Sequence, residues 1–85
     1  LSSAASDVYK RQNLNSKIGI KIKLLRTKLN YSQEKLAEIS GLNKNSIGAV
    51  ERGESRPTID TLERIAIALG IELKELVDVS KIDLD

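Results

Sequence analysis

An all-α fold of five short helices is what this 85-residue chain predicts, and three observations carry the prediction. Apolar residues recur at three- and four-residue intervals, the spacing that gathers side chains on one helix face. Ser, Asn and Thr stand just before several of these runs, where a side-chain oxygen can accept a free first-turn amide. Gly41, Gly53 and Gly70 stand just after them, where helices end in a left-handed residue.

The first helix spans about Ser16 to Leu29, on the face Ile18, Ile22, Leu25 and Leu29. Ile20 and Leu24 form a second apolar stripe, so this helix either packs on two sides or offers a contact strip. The second runs from Gln33 to Ser40 behind the cap Ser32, with Leu36, Ala37 and Ile39 inward, and ends at Gly41. Asn43 caps the third, Lys44 to Arg52, whose inward residues are Ile47 and Val50; Gly53 stops it. Pro57 disfavours helix at Arg56, leaving Thr58 to cap a fourth helix with core face Ile59, Leu62, Ile65, Ala66 and Leu69. A short fifth helix takes in Ile71, Leu73 and Leu76, with Glu72 as a poor cap.

The expected domain is residues 15–78. Residues 1–14 are expected to be a disordered or non-native extension, because LSSAASDVYKRQ lacks apolar periodicity and reads like translated sequencing-adaptor sequence. The alternative is an authentic basic arm that reaches a groove with Lys10 and Arg11. Residues 79–85 form a tail whose Val79, Ile82 and Leu84 suit a linker or a dimer strip.

Composition narrows the function classes. The chain has no Cys and no His, so neither a disulfide framework nor thiolate or imidazole metal ligation is available. The same lack removes the usual activated nucleophile and base; with no phosphate-binding Gly loop either, we expect no enzyme and no cofactor. No apolar run approaches the roughly 20 residues of a membrane span, and a cytoplasmic location is expected. Charge is lopsided. From Asn15 to Arg56 nine basic residues face four acidic ones, whereas from Pro57 to Asp85 three basic residues face seven acidic ones. A basic half attracts phosphates.

The informative unit is Ser32 to Gly53: two short helices around a tight Gly turn, a helix-turn-helix. The second of such helices fits the DNA major groove. Here it presents Lys44, Asn45 and Ser46 in its first turn and Ala49 one turn later. Asn can bond adenine twice, Lys can reach guanine acceptors, and Ala can touch a thymine methyl.

SQEKLAEISGLNKNSIGAVERG from Ser32 to Gly53, followed by RPTIDTLERIAIALG from Arg56 to Gly70, resembles the phage-repressor and Cro-type (XRE) helix-turn-helix family. The likeness covers about Ile18 to Leu76. It implies a compact five-helix lambda-repressor-like domain and a transcriptional regulator, as a rule a repressor, that binds a near-palindromic double-stranded operator as a homodimer. It also implies that Gln33 bonds a phosphate and braces the first recognition residue. Lys44, Asn45, Ser46, Gly48 and Ala49 would face bases and groove, and Arg52 and Arg56 would grip phosphates. Arg26 and Glu51 would form an internal ion pair. Gly48 departs from the family, which often carries Ser or a longer polar residue there, and either allows close approach of the backbone to DNA or marks a degenerate reader. The alternative reading is an antitoxin or protein-interaction module on the same fold, with a protein partner at Ile20, Leu24 and the stretch from Val77 to Leu84. RNA is disfavoured, since Tyr9 and Tyr31 are the only aromatic residues available for stacking.

Overall fold

The computed structural model describes residues 3–82, with side chains from Leu14 to Ile82. Five helices follow one another: α1 (Ser3–Lys28), α2 (Gln33–Ser40), α3 (Lys44–Glu51), α4 (Ile59–Leu69) and α5 (Leu73–Leu76), with no strand among the described residues.

Each helix delivers one completely buried aliphatic side chain to a common core: Ile22, Leu36, Ile47, Ile65 and Leu76. Each such residue contributes about 1.5–3 kcal/mol through removal of apolar surface from water. Ala37, Val50, Leu62, Ala66 and Leu69 complete the core, and Ile18, Leu25 and Leu42 pack against it from the edge. α3 lies against both α1 and α2, and α4 supports α2 from the far side.

The expected caps are in place. Ser32 Oγ accepts from the Lys35 amide at 2.9 Å, Asn43 Oδ1 from Ser46 at 2.8 Å, and Thr58 Oγ1 from Thr61 at 3.1 Å. Gly41 and Gly70 close α2 and α4 at φ 74° and 76°, a conformation that a Cβ would strain. The turn after α1 uses a different device: Asn30, at φ 59°, takes the left-handed position that glycine fills elsewhere. Glu72 makes no side-chain cap bond at the start of α5.

Several expectations need correction. α1 begins at Ser3, well ahead of Ser16. Its early residues include no Gly or Pro and several good helix formers, and apolar periodicity reports packing rather than helicity. The side chains of Lys10 and Arg11, and the whole of Leu84, lie outside the described residues. α3 ends at Glu51, leaving Arg52 as its cap. Leu29, Ile39 and Ile59, expected on core faces, are 44%, 44% and 68% exposed. Leu29 and Ile59 stand at or just beyond a helix end, and Ile39 is the second-to-last residue of a short helix, where a three-to-four spacing cannot ensure cover. Leu24 is 51% exposed and Ile20 half-buried, so the second stripe of α1 stays open on Leu24.

Beyond α5 the chain returns towards α1, where Lys21 Nζ donates to the Asp78 carbonyl oxygen at 3.1 Å. The Ser80 hydroxyl and amide donate to Asp78 Oδ1 at 2.8 and 3.2 Å. The Ser80 hydroxyl bond is the main reason that the Asp78 carboxyl lies below its ordinary pKa.

Candidate nucleic-acid interface

The sharp turn between α2 and α3 follows from Gly41, whose positive φ reverses the chain while Leu42 N–H donates to the Ala37 carbonyl at 2.9 Å. Leu42 packs against the core and Asn43 starts α3 at once. Ile47 and Val50 face inward, which turns the opposite side of α3 outward. Lys44 and Asn45 are exposed, and Ser46 and Ala49 are half-buried.

These outward residues divide into two flanks. On one side Asn45, Ser46 and Ala49 share an open depression of ≈ 350 Å³ with Arg56, Pro57 and Thr58 of the following loop. Arg56 is exposed and has no ion-pair partner among the described residues. On the other side Gln33, Gly48 and Arg52 come together. Gly48 is buried: a Cβ built on it would stand 2.9 Å from Arg52 Nη1 and 3.6 Å from Gln33 Oε1. The open groove position expected at Gly48 is therefore occupied by neighbouring side chains of the chain itself. Arg52 Nε pairs with Glu54 Oε2 at 3.0 Å.

Beneath this surface lies a buried polar knot. Arg26 Nε donates to Glu51 Oε2 at 2.6 Å and its Nη2 to Oε1 at 3.1 Å, a bidentate pair between α1 and the last residue of α3. Arg26 Nη1 also donates to the Tyr31 carbonyl at 2.7 Å, and Gln33 Nε2 donates to Glu51 Oε1 at 3.0 Å. Two helix ends and the α1–α2 turn are thereby tied to the base of α3. Gln33 directs its amide to Glu51, not to Lys44, so its bracing acts on the end of α3 rather than on the first exposed residue. No buried side-chain polar atom is left without a partner among the described residues.

Three features escaped the sequence. The Arg52–Glu54 pair spans Gly53 in a loop, where no helical spacing signals it. Gly19 sits against the end of α3, so close that a Cβ would lie 2.4 Å from the Val50 carbonyl oxygen and 2.5 Å from that of Glu51. Gly53 meets Ser16 in the same crossing, with a would-be Cβ 2.7 Å from Ser16 Oγ. Among the described residues no group of His, Cys, Asp or Glu is clustered to hold a metal ion, and no helix is long and apolar enough to cross a membrane.

A helix-turn-helix family model (HTH_3) matches residues 22–76, from the last third of α1 to the end of α5. The chain belongs to this family. It is 38% identical over 71 residues to the control protein C.BamHI of Bacillus amyloliquefaciens, covering 82% of this chain and 88% of that one. It is 35% identical over 65 residues to the cryptic phage CTXphi transcriptional repressor RstR of Vibrio cholerae, covering 76% of this chain and 59% of the repressor. The crystal structure of the restriction-modification controller protein C.AhdI from Aeromonas hydrophila superposes with a TM-score of 0.72 at 40% identity, covering 73% of this chain and 94% of that chain.

Proposed function

We propose that this chain is a sequence-specific transcriptional regulator, acting as a repressor, that inserts α3 into the major groove of a double-stranded operator. The observation that carries the reading is the outward side of α3: a capped first turn offering Lys44 and Asn45, with Ser46 and Ala49 beside a depression edged by Arg56. Asn45, Lys44, Ser46 and Ala49 read base edges, while Gln33, Arg52 and Arg56 set the register on phosphates. The binding unit is residues 15–78. It binds as a homodimer to a near-palindromic site in the bacterial or phage cytoplasm, and performs no covalent chemistry. Kinship with a phage transcriptional repressor, a control protein and a restriction-modification controller protein supports the regulatory role.

Selection of duplex DNA from a random pool by the purified protein, followed by sequencing, tests this directly. An enriched palindrome is the expected result; no enrichment at low salt overturns it. Within the recovered site, Asn45→Ala should lose about 1–3 kcal/mol at one base position and relax preference there. Arg52→Ala should weaken all sequences alike and reduce the salt slope by about one. An unchanged base preference in Asn45→Ala would remove that residue from the reading set.

A second reading, a protein-interaction module, rests on Leu24, 51% exposed on α1. Substitution of Ile20 and Leu24 with Ser separates the two. Operator affinity should survive it, and its loss would place that strip in the DNA-binding assembly.

A further inference from the structure

We propose that Glu54 is a built-in competitor for DNA phosphate: it holds Arg52 in an ion pair that must open before the guanidinium can grip the backbone. The inference rests on the DNA-binding reading above and concerns the same surface. Arg52 Nε lies 3.0 Å from Glu54 Oε2, and the far end of the guanidinium lies over Gly48, which has no side chain to displace it. A Cβ at that position would stand 2.9 Å from Nη1, and Gln33 Oε1 borders the same space. The guanidinium thus rests over Gly48, and Glu54 is the latch. Among the other two cations of the following loop and first turn, Lys44 and Arg56 have no ion-pair partner within the described residues, so Arg52 alone on this surface is held.

Both side chains of the pair are more than half exposed, at 58% and 60%. Exchange of the carboxylate for a phosphate therefore starts from a solvated ion pair, not from a buried one. Opening the latch costs the same on every sequence, so it limits affinity across the board and leaves base preference untouched. It also reduces the effective positive charge presented to DNA, because the charge of Arg52 is partly neutralised before contact.

The test is a double-mutant cycle on the whole chain, with a labelled random-sequence duplex as the probe at low and at moderate salt. Glu54→Gln should tighten binding by about 1.5- to 5-fold at low salt, the range an exposed ion pair supports. The gain should shrink as salt screens the pair in the parent protein. In an Arg52→Gln background the same Glu54→Gln change should give no gain. A gain that persists there would mean that Glu54 simply repels phosphate through space, and would overturn the latch. No gain in the parent would overturn it as well. If the parent protein binds neither this duplex nor any selected site, the DNA-binding reading itself falls, an outcome distinct from binding that ignores Glu54. Unfolding midpoints of all four proteins, expected to agree because both residues are exposed, guard against a folding artefact.

Discussion

Arg26→Ala is expected to destabilise the fold by about 3–5 kcal/mol, the cost of leaving a buried carboxylate without its cation. Glu51 is only 8% exposed and receives two of its three side-chain hydrogen bonds from Arg26; Gln33 Nε2 alone would remain. The Tyr31 carbonyl would lose its bond from Nη1 too. Small domains have total stabilities of about 5–15 kcal/mol, so this single change removes a large share. Thermal unfolding followed by circular dichroism checks it, at about 4–8 °C of Tm per kcal/mol for a domain of this size. A double variant, Arg26→Met with Glu51→Met, should lose less than Arg26→Ala alone, because no charge is left buried. That ordering distinguishes an unpaired charge from lost packing. An unchanged Tm in Arg26→Ala would show that the pair does not hold α3 in place.

The same knot shows what a sequence can and cannot disclose. The pairing of Arg26 with Glu51 was expected from resemblance alone, since twenty-five positions separate them and no periodicity links two charges across different helices. Helices, by contrast, were legible from local chemistry. Ser32, Asn43 and Thr58 each bond an amide three residues on, and such bonds depend only on neighbours in the chain. The bounds of α2 were read correctly because both signals, Ser32 and Gly41, flank it closely. The early part of α1 carries no apolar periodicity to mark it, and Asn30 disguised its stop by doing the work of a glycine. Lys44, Asn45, Ser46 and Ala49 were legible as outward residues because Ile47 and Val50 fix the opposite face. Gly48 was not: its surroundings are set by Gln33 from another helix and by the path of Arg52 after the helix ends.

Gly19→Val is the second change with a large expected effect, and the sequence gives no hint of it, since a glycine inside a helix looks like a weakness. Gly is about 1 kcal/mol less favourable than Ala in a helix interior, so on propensity alone replacement of Gly19 by Ala would stabilise α1. Packing reverses the sign. The nearest atoms to a Cβ there are the Val50 and Glu51 carbonyl oxygens at 2.4 and 2.5 Å and the Glu51 carbonyl carbon at 2.8 Å, all backbone and none able to rotate aside. Either α1 moves away or the end of α3 does, and Glu51 is the residue that Arg26 and Gln33 hold. Overpacking costs about 1–3 kcal/mol as a rule and occasionally more. A rigid backbone contact with a β-branched residue places Gly19→Val at about 3 kcal/mol, the upper end of that range, with Gly19→Ala between it and the parent. Urea unfolding of the three proteins gives the series. Equal midpoints would mean that the two helices can separate at no cost, and hence that the glycine does not set their crossing. Because the clash bears on the end of α3, operator affinity measured well below the unfolding transition should fall in the same order, Val more than Ala. Preserved affinity in a destabilised Gly19→Val would show that the recognition surface tolerates a shift at its base.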